Sequence, residues 1–381
     1  MEKLQYNDKS QMRIGIVTLP IRTNYGGILQ AYALQTVLER MGHKVVVFAK
    51  PHTFRLSFLR KCKAYPKRFF NKYFLRKNTI ILWEQYMNNR TAVSMKFTGP
   101  FIDRNVHLKM VNDFQDLKES DYDAIIVGSD QIWRPLYYPH IEDAYLKFAE
   151  GWNIKRFSYA PSFGVDEWEY SKDQTEECKR LLKLFDAVST REESGTMLCR
   201  NYLGREAEWV LDPTMLLEVQ DYIRLFELSN IPPSKGELFC YILDPSEEKE
   251  VVINDISKIN NITPFAVNSQ VDDLNADFAN CVQPPVESWL RGFFDAKFVV
   301  TDSFHACVFS ILFKKQFVVV GNQERGLSRI KSLLKIFGLE DRLVNQNFVA
   351  SKLNMIDYDT VDKKLHEWRE RSMSFLNEIK K

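Results

Sequence analysis

Short apolar runs alternate with stretches of helical spacing along most of this chain. Residues 12–18 (MRIGIVT) form the first run, rich in β-branched residues. A Leu-Pro pair and a polar loop holding Asn24-Tyr25-Gly26-Gly27 close it, so it reads as a strand and a turn. From Ile28 the apolar positions Ile28, Ala31, Tyr32, Leu34, Val37, Leu38 and Met41 recur at three and four residues, and Gly42 marks the stop of a helix. A second run at 45–48 completes a βαβ unit. Further strands are predicted at 124–127, 157–160, 187–189, 209–211, 238–243, 265–267, 298–301 and 317–320, with helical patterns between most of them. Runs of about five apolar residues alternating with helices mark parallel sheets covered on both faces, so the class is α/β with open, doubly wound sheets.

The strands are too many for one sheet of ordinary width. The stretch 229–236 (SNIPPSKG) has the composition of a linker, which puts the domain break between Pro213 and Gly236. The expected organisation is a polar tail at 1–11, an N-terminal domain at 12–228, a second domain at 229–350 and a C-terminal helical segment at 351–381, amphipathic from Asp357 and able to pack on either domain. A length of 381 residues suits two such domains.

Composition changes this picture little: 45% apolar and 27% charged residues describe a soluble globular chain rather than a disordered or collagen-like one. The apolar stretch 297–320 is interrupted by Asp302, His305, Lys314 and Lys315, so it does not read as a membrane span. Six cysteines without a CxxC pair resemble neither a disulfide framework nor a zinc site, and the N-terminus has no apolar signal segment; the expectation is a reducing cytoplasm. His43, His52, His107, His140 and His366 have no ligand spacing, so no metal is expected.

Net charge is only +2, but its distribution is uneven. Twelve basic and no acidic residues lie between Arg40 and Trp83, leaving 40 of the 52 basic residues against all 50 acidic ones elsewhere. Within that block, residues 54–78 interleave nine Lys or Arg with seven aromatic rings, and Pro66 is expected to split it into two short helices. This is the pattern of an interfacial helix pair on anionic lipid, with Arg60, Lys61, Lys67 and Arg68 as surface cations. The alternatives are a solvated basic face with its aromatics in the core, or nucleic acid, for which no binding module is visible.

Ligands of open α/β sheets bind at the carboxyl ends of strands, so the polar residues just after each strand are the candidates. Asn24 to Gly27 sit at a helix N-terminus, suited to an anion or a sugar hydroxyl, or are a plain tight turn. Gly128 to Pro135 (GSDQIWRP) gathers an amide, a carboxylate, an indole and a guanidinium, a carbohydrate-binding chemistry; the alternative has Asp130 capping a helix and Trp133 in the core. Thr190 and Glu193 fit a capping box, which would put Arg191 in a helical first turn against the dipole and suggest a resident anion or a carboxylate partner. Asp302 or Ser303 caps an apolar helix at 306–313 with His305 in its first turn, and Arg325 and Arg329 follow on a loop as anion clamps. His305 is either a catalyst or a satisfied structural residue.

The set NYGG with ILQAYAL (24–34), GSDQIW (128–133), STRE (189–192), LDPT (211–214) and DSFHA (302–306), in this order, resembles the polysaccharide pyruvyl transferase family. The resemblance implies a GT-B-like fold of two Rossmann-like domains facing each other across a cleft. It also implies transfer of pyruvate from phosphoenolpyruvate onto two hydroxyls of one sugar, forming a cyclic ketal in cell-surface polysaccharide synthesis. In that reading His305 is the acid, and Arg191 binds the donor together with Ser303, His305, Arg325 and Arg329. Asn24, Tyr25, Gly26, Asp130, Gln131 and Trp133 form the acceptor face. The acceptor is expected to be a galactose-type sugar on a polyprenyl carrier, reached from the inner face of the plasma membrane, with no cofactor and no nucleic acid. The competing functions are a GT-B glycosyltransferase with a nucleotide-sugar donor and a catalytically silent glycan- or lipid-binding member.

Overall fold

The computed structural model describes residues 11–51, 53–321, 326–345 and 348–380; residues 1–10 of the expected tail 1–11, His52 and Arg325 lie outside these. Seven strands, β1 (Arg13–Val17), β2 (Lys44–Ala49), β3 (Leu108–Met110), β4 (Ala124–Val127), β5 (Lys155–Ser158), β6 (Ala187–Thr190) and β7 (Glu208–Trp209), form one sheet in the order β3-β2-β1-β4-β5-β6-β7. A second sheet holds β8 (Leu238–Tyr241), β9 (Pro264–Phe265), β10 (Phe298–Thr301), β11 (Gln316–Val320) and β12 (Leu343–Val344) in the order β12-β11-β10-β8-β9. Every ladder in both is parallel. The central strands β4, β8 and β10 are buried at every position, as continuous apolar runs require when helices cover both faces.

Among the described residues the helices are α1 (Tyr25–Arg40), α2 (Phe58–Tyr73), α3 (Trp83–Ser94), α4 (Thr98–Asn105), α5 (Lys172–Leu182), α6 (Glu193–Leu198), α7 (Val219–Glu227), α8 (Glu247–Asn260), α9 (Val286–Asp295), α10 (Phe304–Leu312), α11 (Leu327–Phe337) and α12 (Tyr358–Asn377). α1 starts three residues before the apolar repeat does, because the Asn24 side chain accepts from Gly27 N at 3.0 Å and draws both glycines into the first turn. It ends at Gly42, whose φ of +97° few other residues adopt. All nine residues of α10 are buried: the helix is apolar all round because protein encloses it.

Two local expectations are corrected. Residues 58–73 form one helix rather than two; Pro66 lies inside it and costs a single backbone bond, and exposed Cys62, whose carbonyl loses its donor, is open to water. The capping box at Thr190 does not form. Thr190 ends β6 and donates its hydroxyl to the Glu192 carbonyl at 3.1 Å, so α6 begins at Glu193 and Arg191 sits in the strand-to-helix turn, not in a helix.

The two sheets share one hydrophobic cluster. Tyr25 stacks on Trp289 with ring centroids 5.3 Å apart and donates to the Pro284 carbonyl at 2.9 Å, while Tyr222 meets Phe309 edge-on at 4.8 Å. α12 crosses back to the first sheet, where Trp368 packs on Trp209 and Ser372 caps Leu211 N at 3.0 Å, and it also touches the second through Tyr358 and Ser310. The cleft between the sheets therefore has a fixed floor.

Candidate functional site

Strand order locates the site. In the first sheet β2 and β3 lie to one side of β1 and β4 to the other; in the second, β9 lies to one side of β8 and β10 to the other. Chains leaving such neighbouring strands diverge, opening a crevice at their carboxyl ends. Both crevices open into one cavity of about 1010 Å³. Asn24 and Gly26 after β1, Asp130 and Gln131 after β4, Tyr241 to Asp244 at the end of β8, and Asp302 to His305 after β10 all line it. The first turns of α1, α10 and α11 point into this space, through Gly26, His305 and Arg329, and none carries an acidic residue. Aligned helix N-termini favour an anionic ligand.

Beneath the cavity wall Asp212, fully buried, ties the two halves together. Its Oδ1 accepts from Thr214 N at 3.0 Å and Thr214 Oγ1 at 2.6 Å, and its Oδ2 accepts from Arg191 Nη1 at 2.7 Å and Ser129 Oγ at 3.1 Å. The same oxygen lies 3.6 Å from His305 Nε2, which has no hydrogen-bond partner among the described residues. Burial alone raises a carboxyl, but His305, Arg191 and Thr214 outweigh it and hold Asp212 well below the usual carboxylate range. With Nε2 turned to Asp212, His305 presents Nδ1 toward α1. A Cβ on Gly26 would stand 2.0 Å from that nitrogen, so only glycine lets the helix approach the imidazole.

Arg191 is buried against Phe304, 4.3 Å from the ring centroid, and pairs with Asp212 and, at 3.4 Å, with Asp130. Burial works against its charge; the two carboxylates outweigh burial and raise it. Asp130 is likewise penalised by burial, and Arg191, His305 and Arg329 together hold it down. Its backbone stands at φ 74° and ψ −175°, a region almost confined to glycine and costing on the order of 1–3 kcal/mol. Two hydrogen bonds of 2.8 Å to its carbonyl, from Ile132 N and Ser162 N, hold that turn. Arg329 lines the cavity 5.8 Å from the Phe304 ring, and burial with Arg191 nearby pushes it down to about 10.

The expected residues divide. His305, Ser303, Arg329, Asn24, Gly26, Asp130 and Gln131 come together on the cavity wall. Arg191 does not reach it: it lies behind Asp130 and Phe304, neutralised by carboxylates, because the turn after β6 buries it. Trp133 is corrected from acceptor face to core, fully buried, stacked on Tyr145 at 5.0 Å and donating Nε1 to the Ala144 carbonyl at 3.1 Å. The ring this segment presents to the cavity is Tyr137, beneath an Arg134 that Glu169 fixes by two hydrogen bonds. Tyr25 faces the inter-sheet core and is also no acceptor contact. Arg68 is no free surface cation, since Glu84 clamps it through two bonds of 2.8 Å.

Sequence reasoning gave no role to Asp212 or to the 268–283 loop and gave Asp302 only helix capping, which Ser303 performs instead. Asp212 was visible only as the aspartate of LDPT. Asp302 receives Lys249 at 2.7 Å and the backbone N–H groups of Leu243 and Asp244, which fastens the β8 loop to β10. The loop 268–283 lines the cavity with Asn268, Gln270, Asp272, Asp273, Asn280 and Gln283, an amide and carboxylate set suited to sugar hydroxyls. Its signal was a long polar stretch without apolar period.

A polysaccharide pyruvyl transferase family model matches residues 24–324. Among solved structures, Arabidopsis thaliana UGT89C1 complexed with UDP-L-rhamnose is 10% identical over 97% of this chain and 98% of that one, with a TM-score of 0.51. A glycosyltransferase from Rickettsia africae ESF-5 (11% identity, 96% and 98% coverage, TM-score 0.46) and the UDP-GlcNAc 2-epimerase of Neisseria meningitidis bound to UDP-GlcNAc (10%, 93% and 100%, 0.42) are similar over comparable lengths. No curated protein sequence matches. At such identity the likeness to the first of these shows the fold alone, which is GT-B-like, with two parallel sheets flanked by helices. The family match spans most of the chain, from the Asn24 cap through His305, and the chain belongs to the polysaccharide pyruvyl transferase family.

Proposed function

We propose that this enzyme transfers pyruvate from phosphoenolpyruvate onto two hydroxyls of one sugar, forming a cyclic ketal and releasing phosphate. The observation that carries the reading is His305, which lines a cavity ringed by helix N-termini with Nε2 3.6 Å from Asp212 and Nδ1 packed against Gly26. In this reaction the His305 imidazolium protonates the methylene carbon, and an oxocarbenium-like centre develops at C2. One hydroxyl attacks C2, phosphate leaves with its bonding pair, and the second hydroxyl closes the ring. Of the two hydroxyl protons, one returns to His305 and the other leaves with phosphate. Arg329 and the N-termini of α10 and α11 hold the donor anion, while Arg191 acts indirectly by fixing Asp212 and Asp130. The 268–283 loop with Asn24, Gln131 and Tyr137 holds the acceptor, a galactose-type residue of a lipid-linked glycan.

A thermal-shift comparison of phosphoenolpyruvate with nucleotide sugars tests the donor without needing the acceptor. At 100 times its dissociation constant a ligand stabilises by about 2.7 kcal/mol. Stabilisation by phosphoenolpyruvate that Arg329→Ala abolishes supports the reading. Stabilisation by a nucleotide sugar alone replaces it with glycosyl transfer on the same fold.

A further inference from the structure

The side of α2 that meets the rest of the protein is its polar one. Its partly covered residues are Ala64, Tyr65, Arg68 and Asn71, and none of the helix is buried. At 3.6 residues per turn the opposite side carries Phe58, Leu59, Pro66, Phe69, Phe70 and Tyr73. Phe58 and Leu59 are 77% and 76% exposed, and the other three rings are exposed as well. The reading in which these aromatics fill a core is thereby excluded. A contiguous apolar stripe turned to water marks an interaction surface.

Charge selects the partner. Lys63 and Lys67 flank the stripe on one side, Lys61 and Lys72 on the other, and residues 54–78 contain no acid. An apolar stripe between two rows of lysine matches acyl chains below anionic headgroups, with lysine stems lying along the apolar surface and their ammonium groups in the headgroup layer. Nucleic-acid bases stack on rings but offer no apolar interior for Leu59 and Pro66, and a second copy would set like charge against like.

We propose that the outward face of α2 docks the protein on an anionic lipid bilayer. The helix is mechanically tied to the cavity: Arg68 clamps it to Glu84 of α3, and Arg90 of α3 donates to the carbonyls of Asp273 and Ala276, in the loop that lines the cavity. Docking therefore fixes the cavity relative to the membrane and, resting on the proposed function, presents it to a sugar carried on a membrane lipid.

Co-sedimentation of the full chain with phosphatidylcholine vesicles, with and without phosphatidylglycerol, tests this without any turnover. The protein is expected to sediment with the anionic vesicles only and to be released by salt. Lys63→Ala with Lys67→Ala weakens partitioning about 30-fold, taking roughly 1 kcal/mol per basic residue. Leu59→Glu with Phe70→Glu abolishes it with an unchanged unfolding midpoint, since both positions are exposed. Absence of sedimentation with anionic vesicles overturns the proposal. So does a dimer that the Leu59→Glu/Phe70→Glu variant dissociates, or oligonucleotide binding that survives that variant while lipid binding is absent. Vesicle binding by a protein that ignores phosphoenolpyruvate sinks the proposed reaction and leaves the surface standing.

Discussion

Asp212→Asn separates the two roles assigned to that carboxylate. Its two oxygens serve two groups of donors: Thr214 N and Oγ1 at one, and Arg191, Ser129 and His305 at the other. An amide has a single acceptor oxygen, so one group must face an NH₂. Satisfying Thr214 turns the NH₂ on Arg191, a buried guanidinium that keeps Asp130 at 3.4 Å and Ser129 Oγ at 3.5 Å but loses its short ion pair. Breaking a buried ion pair costs about 3–5 kcal/mol. At about 1.3 °C per kcal/mol for a chain of this size, the midpoint falls by about 4–6 °C. Calorimetry reads the stability and phosphate release reads the chemistry. Because His305 loses the carboxylate beside Nε2, turnover falls as well, whereas His305→Ala lowers turnover with a midpoint near wild type. A wild-type midpoint and turnover in Asp212→Asn would refute the buried-hub reasoning.

Gly26→Ala places a methyl group 2.0 Å from His305 Nδ1, so turnover drops sharply while Gly27→Ala, whose nearest neighbour lies at 3.6 Å, retains most of it; equal rates in steady-state assays would contradict the close approach. Arg329, whose charge burial and Arg191 disfavour, holds the donor anion through its planar fork, so Arg329→Lys weakens phosphoenolpyruvate binding. Titration calorimetry reads the loss, and wild-type affinity in Arg329→Lys would contradict that role. Trp133→Ala, a core truncation, destabilises by about 3–5 kcal/mol, whereas Tyr137→Ala, at the cavity wall, raises the acceptor KM with little change in midpoint.

The buried parallel strands were legible because two covered faces demand unbroken apolar runs: β1, β4, β8, β10 and β11 fall within a residue or two of where the pattern puts them. The edge strands β3 and β12 were not, since their residues are half-buried or exposed and carry no such run. Candidate residues directly after central strands, such as Asp130, Gln131, Ser303 and His305, were found by that position alone. Depth was what the pattern could not give. Trp133 and Arg191 stand in the same polar segments as true cavity residues, but a 3₁₀ turn sends the indole inward and the β6 turn carries the guanidinium below Phe304. Asp212 follows a two-residue strand, and its partners lie up to 93 residues from it along the chain, a convergence that only the tertiary fold creates.

Phosphate release from phosphoenolpyruvate by wild type and by His305→Ala, with a membrane-extracted pool of lipid-linked glycans as acceptor, tests most directly whether His305 is the proton donor. A general acid contributes about 10²–10⁴-fold to rate. Acceptor-dependent release by the wild type should fall at least about 100-fold in the variant, which phosphoenolpyruvate still stabilises against heat. Release by His305→Ala at the wild-type rate, or consumption of a nucleotide sugar in place of phosphoenolpyruvate, would contradict the assignment.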